Sequence, residues 1–184
     1  MAVEHVNIAD PNIHEPKGVA TAAVDTVYYA NGAGSGSWKL VFPHGSTTFV
    51  NLSTPYTLTY PATYTKLAPT TVASGTSEEF TEATTARLTY TGTPSRHARI
   101  VCDISFDQVV GANRDIEFAV YKNGSVISSS SVVCTTVSGA KVISTLFADS
   151  TAVTNDYFEI YCKNAGASGD VRVYSFNLSA HGFI

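Results

Sequence analysis

Apolar and polar residues alternate most cleanly over Ala98–Phe106. There Ala98, Ile100, Cys102, Ile104 and Phe106 alternate with Arg99, Val101, Asp103 and Ser105. A period of two over that length predicts a β-strand with one buried face. The same device recurs along the chain. Ala86–Thr91, Asp115–Tyr121, Val126–Val133, Lys141–Ala148, Tyr157–Lys163 and Val171–Ala180 read as strands separated by turn-forming residues. Asn123-Gly124 accepts the positive φ angles of a type I′ turn, so Val126–Val133 is expected to pair back antiparallel. Upstream, Thr48–Leu52 and Tyr56–Tyr60 read as short strands split by Pro55 and stopped by Pro61. Tyr64–Val72 reads as extended, with Pro69 at an edge position, and Gly75–Thr84 as a polar loop. No stretch after residue 47 carries helical spacing.

Short strands with turn signals between them predict a sandwich or barrel rather than a parallel α/β sheet. The expected fold is all-β, an antiparallel jelly-roll sandwich over residues 47–184. Its core would draw on Leu88, Ile100, Ile104, Phe106, Ile116, Phe118, Val120, Ile143, Phe158, Ile160, Phe176 and Leu178. Residues 1–46 differ and read as an extended N-terminal arm. Two prolines, Pro11 and Pro16, interrupt a stretch without periodicity. A short helix is expected near Thr21–Val24 and a strand at Thr26–Ala30. A glycine-rich loop, Asn31–Trp38, closes on the single tryptophan. Trp38 is expected to anchor the arm on an apolar surface.

The faces opposite that core also carry apolar residues. Ala119 and Tyr121, Tyr157 and Tyr161, and Val171 and Val173 read as outward positions. A sheet face turned to water is normally polar. These six residues therefore predict a buried subunit interface.

The chain has 184 residues, enough for one domain and an extension. A net charge of −4 argues against nucleic-acid or anionic-membrane binding through basic patches. Charged residues make up 14% of the chain, against about 25% in average globular proteins. That composition suits a protein packed against copies of itself or a partner. No run has the apolar length of a membrane span, and the opening residues do not read as a secretory signal. Three cysteines cannot form a closed disulfide framework. Cys102 and Cys162 fall on inward faces and are expected to be buried free thiols, in keeping with assembly in a reducing cytoplasm.

Catalytic chemistry is not written in the pattern. Gly32, Gly34 and Gly36 lack the Lys-Ser/Thr and strand–helix context of a phosphate loop. No Gly-x-Ser-x-Gly elbow is present. The acid pairs Asp103/Asp107 and Asp115/Glu117 have a spacing a glycosidase could use, but read more plainly as solvent-facing strand charges. His5, His14, His44, His97 and His181 form no local metal-binding motif, which leaves a ring of histidines from several subunits as the metal arrangement still open. Arg96, His97 and Arg99 read as a solvated strand entrance or as a salt bridge to a neighbouring subunit. The expectation is a protein that is not an enzyme and carries no cofactor.

Two parts of the chain carry a resemblance. Ala86-Arg-Leu-Thr-Tyr-Thr-Gly-Thr-Pro, Val120-Tyr-Lys-Asn-Gly-Ser-Val-Ile and Asp156-Tyr-Phe-Glu-Ile-Tyr resemble the trimeric tumour-necrosis-factor-like jelly roll at the ends of phage structural proteins. Asn7–Val19 leading to Tyr28–Trp38 is similar to the opening segment of bacteriophage head decoration, or cement, proteins. The resemblance implies a homotrimer on the outer surface of the virion capsid, bound to the major capsid protein, with neither nucleic acid nor membrane as partner. The arm would grip through Val3, Val6, Ile8, Ile13, Val19, Tyr28, Tyr29 and Trp38. The alternative is a fibre or receptor-binding tip that reads host glycan through Gly92–Arg96, Val110–Arg114, Ala148–Asn155 and Asn164–Gly169.

Overall fold

The computed structural model describes residues 22, 26–30, 36–40, 42–59, 61–83, 85–109, 112–164 and 169–183. The chain divides into two units, Met1–Val41 and Phe42–Ile184. In the first unit, β1 (Thr26–Ala30) and β2 (Gly36–Leu40) pair antiparallel. Register sets Tyr28 opposite Trp38, and their rings meet edge-on at 5.5 Å. Gly36, Ser37 and Trp38, expected in a loop, are strand residues of this hairpin. Val3, Val6, Ile8, Ile13 and Val19 lie outside the described residues, as does the Thr21–Val24 helix apart from Ala22.

The second unit begins with β3 (His44–Val50), β4 (Tyr56–Leu58), β5 (Thr65–Lys66), β6 (Ala73–Ser74), β7 (Phe80–Ala83) and β8 (Arg87–Tyr90). It continues with β9 (Arg96–Gln108), β10 (Arg114–Lys122), β11 (Ser125–Val126), β12 (Val132–Thr136), β13 (Val142–Ala152), β14 (Tyr157–Asn164) and β15 (Val171–Phe183). The first sheet runs β11-β10-β14-β8-β7, with β12 also on β10 and β5 also on β14. The second runs β13-β9-β15-β3-β6, with β4 also on β15. The chain crosses between the sheets from β8 to β9, β9 to β10, β12 to β13, β13 to β14 and β14 to β15, and the ladders are antiparallel. This is a jelly-roll sandwich, and no α-helix occurs among the described residues.

The core lies between the sheets because alternate residues of facing strands point inward. Phe106 of β9 meets Phe118 of β10 edge-on across the gap, with centroids 4.7 Å apart. Eleven of the twelve expected core residues are buried. Ile143 is the exception, 79% exposed on the outside of β13, where Ser144, Leu146 and Ala148 take the inner positions. Cys102 and Cys162 are buried free thiols, and burial pushes both well above the thiolate range. Cys134 is free and half-buried.

Several boundaries differ from the sequence pattern. The expected division at residues 46/47 falls inside β3. Gly75–Thr84 is not wholly a loop: Phe80 turns inward from β7 and packs on Tyr90 at 5.1 Å. The Asn123-Gly124 turn forms with both φ angles positive, but the returning strand breaks after Val126. There the Ser130 hydroxyl accepts from Val120 N (2.9 Å) and donates to Ile127 O (2.6 Å), so a side chain replaces one rung of the ladder. Pairing resumes at β12.

Candidate interaction surface

The tyrosine face predicted as an interface is partly packed within the chain itself. Tyr121 and Tyr161 are neighbours across the β10–β14 pair, and Tyr64 from the preceding loop meets Tyr121 edge-on at 5.5 Å. The Tyr64 hydroxyl also donates to Glu117, which takes Lys163 Nζ at 2.8 Å. Ala119 sits opposite Tyr161, between Glu117 and Tyr121, and is fully buried within the single chain. Tyr157 is covered by the Arg87 guanidinium, 4.0 Å above its ring. Lys66 Nζ and Arg87 Nε both lie 2.6 Å from the buried Glu159 carboxylate.

Electrostatics keep this lattice charged. Hydrogen bonds from Lys163 and Tyr64 hold the Glu117 carboxyl below the ordinary glutamate range. Burial would raise Glu159, but the bonds from Lys66 and Arg87 outweigh it and the net shift is downward. Burial and the bond to Glu117 raise the Tyr64 phenol.

Val171 and Val173 are also corrections to the predicted interface, since both are fully buried. The β15–β9 register shifts between Val173 and Ser175. A bulge of this kind reverses which parity faces inward. Val171 and Val173 therefore face the core before the bulge, and Phe176 and Leu178 face it after. Of the six predicted interface residues, three are inaccessible, and Tyr121, Tyr157 and Tyr161 are half-buried in contacts within their own chain.

Exposed apolar residues do occur on the outer face of the second sheet. Cross-strand register builds the row Ile143–Ser105–Ser175–Val50 across β13, β9, β15 and β3. Four residues further along β13 runs the row Phe147–Val101–Ser179–Ser46. Ile143, Val50 and Phe147 are 79%, 63% and 61% exposed. Two serines between Ile143 and Val50 leave a trough of about 220 Å³ floored by Ser105 and Ser175. The row between the two carries a single charge, Asp103, which accepts from Thr145 at 2.5 Å.

The remaining candidates have partners within the chain. Arg96 is buried and reaches Glu79, whereas Arg99 is exposed and paired with Asp149, so the two do not form one basic cluster. Asp107 is buried and accepts from Arg172 Nε (2.8 Å) and Tyr174 Oη (2.9 Å), and Asp115 accepts from Thr135 at 2.6 Å. Among the described residues, no group of three or more His, Cys, Asp or Glu side chains could hold a metal ion. Ala148–Asn155, expected as a loop, is strand through Ala152, and Arg96 belongs to β9. Parts of Val110–Arg114 and Asn164–Gly169 lie outside the described residues. No helix among the described residues is long and apolar enough to cross a membrane.

No protein family and no curated protein matches the sequence. Solved structures do match the fold. The PRD1 vertex protein P5 aligns with a TM-score of 0.56 at 13% identity, covering 79% of this chain and 100% of that chain. Eiger TNF from S. frugiperda aligns at 0.45 with 8% identity, over 77% of this chain and 94% of that one. Murine APRIL aligns at 0.39 with 10% identity, over 76% and 99%. At these identities the likeness to the vertex protein establishes a shared jelly-roll fold.

Proposed function

We propose that the chain is a structural virion protein, a decoration protein that seats on the outer surface of a phage head as a homotrimer and stiffens it. The observation that carries this reading is the outer face of the second sheet. It exposes Ile143 and Val50 beside a serine-floored trough and Phe147 in the second row beyond it, with a single charge between the two rows. Projecting side chains and a recess on one surface suit a second copy of the same chain. The jelly-roll likeness extends over the whole of a phage vertex protein, which supports a virion setting. The segment before the sandwich, including the Tyr28–Trp38 hairpin, is the proposed grip on the major capsid protein. Ordering each residue of such a segment costs roughly 1–2 kcal/mol, so several apolar anchors per arm are needed. Three arms per trimer add avidity. A clamp of this kind has no catalytic step, takes no cofactor and needs neither nucleic acid nor membrane.

The test is co-sedimentation with undecorated phage heads. The full chain should bind saturably and raise the temperature at which heads rupture. A chain lacking residues 2–30 should remain trimeric in solution and lose binding. Heads that bind the truncated chain equally well would remove the arm from the mechanism, and heads that bind neither protein would refute the decoration role.

A further inference from the structure

We propose that His44 and His181 form a two-imidazole site for a borderline transition-metal ion such as Ni²⁺ or Zn²⁺. The two residues are direct cross-strand partners on β3 and β15. His44 exchanges both backbone hydrogen bonds with Glu78 on its other side, at 2.9 and 2.6 Å. Backbone groups of one residue in an antiparallel strand point the same way, so His44 faces His181 at a non-hydrogen-bonded position. Such positions bring side chains closest, with Cα atoms about 4.5 Å apart.

Three further features fit a metal. The His44 Nδ1 lies 3.0 Å from the Phe42 carbonyl, which can only accept, so Nδ1 is the donor in this contact and Nε2 is the nitrogen left to meet a ligand. A ring nitrogen donating to a backbone carbonyl is the arrangement that orients metal-binding histidines. The register is pinned from beneath: a Cβ on Gly45 would lie 2.5 Å from Phe80 Cβ, and one on Gly182 2.5 Å from Pro43 Cγ. These glycines follow His44 and His181 directly, and the close packing under them holds the two backbones in place. The flanking charges leave room for a cation. Glu78 stands beside His44, and Arg99, beside His181, is already engaged by Asp149 through two bonds of 2.9 and 3.0 Å. Imidazole favours Ni²⁺, Cu²⁺ and Zn²⁺ over hard cations. Water fills the other positions of a two-ligand site.

This inference does not rest on the virion role. It is tested by titrating the full-length protein with Ni²⁺ alone in a calorimeter, in parallel with melting curves. One ion per chain is expected, together with a rise in melting temperature, because an ion bound only by the folded state stabilises it. Binding should weaken as pH is lowered, since protons compete for the imidazoles. Both effects should vanish in His181→Ala and in His44→Gln. They should persist in His97→Ala, which removes an exposed histidine of the same face. Melting curves without metal show whether each variant is folded. Absence of binding, or binding that survives either His44→Gln or His181→Ala, overturns the site. Fewer than one ion per chain with a metal-dependent rise in mass also overturns it, in favour of a site between copies.

Discussion

Tyr121 lies flat against Tyr161 across the β10–β14 pair, with ring centroids 3.9 Å apart and planes 22° apart. Tyr64 meets Tyr121 and donates to Glu117, the residues that flank buried Ala119 on β10, so part of a surface that reads as sticky in sequence is satisfied inside one chain. Tyr161→Ala should therefore act on stability rather than on assembly. Aromatic pairs add about 0.5–1.5 kcal/mol beyond area burial. The expected loss is about 1–3 kcal/mol in denaturant unfolding, with the mass in solution unchanged. Dissociation of a still-folded variant would return the interface to this face.

The opposite outcome is expected on the second sheet. Phe147→Glu and Ile143→Glu place charge on exposed positions that contribute little to the core of one chain. Surface substitutions of this kind usually change stability by less than about 0.5 kcal/mol. Each should leave the fold of the single chain intact while shifting the protein to monomer, as read by light scattering. A folded variant that remains associated would contradict the assignment.

Glu159 supplies a pH-dependent element. Its carboxyl and that of Glu117 are held below the ordinary range in the folded chain. The stability they contribute is complete above the unfolded glutamate value of about 4.3 and is lost as pH falls through the depressed folded values. Melting temperature should be level near neutrality and drop below about pH 4. Glu159→Gln should lower stability at neutral pH by about 1.5–3 kcal/mol, towards the lower figure because Arg87 is partly solvated. It should also flatten the acid limb. An acid limb identical to that of the unmodified protein would show that this carboxylate does not govern acid unfolding.

Gly45→Ala tests the packing beneath β3. Its Cβ would lie 2.5 Å from Phe80 Cβ, too close without movement of β3 or β7. Overpacking of this order costs about 1–3 kcal/mol. An unchanged melting temperature would mean that the β3–β7 contact yields freely.

The alternation in Ala98–Phe106 suffices to place β9, because each inward residue of that stretch is apolar and three of the four outward ones are polar. The same logic fails on β13, where Ile143 and Phe147 lie outside while Leu146 and Ala148 lie inside. Apolar residues on both faces leave the parity open, and only the pairing with β9 sets it. On β15 the reading is correct after residue 175 and reversed before it, because a bulge carries no signature in a run of Val, Tyr and Phe. Ala119 lies on the outer side of β10 as the alternation predicts, but it is buried there, beside Tyr121, which Tyr64 meets from far away in sequence. The His44–His181 pair is invisible as a motif because its members are joined only by the β3–β15 register.

The most direct test of the account is the mass of the purified protein in solution by sedimentation equilibrium, measured beside Phe147→Glu. The account predicts three times the 19.5 kDa chain mass for the unmodified protein and a single chain mass for the variant. An unmodified protein that stays monomeric at every concentration would contradict it, as would a Phe147→Glu variant that remains trimeric.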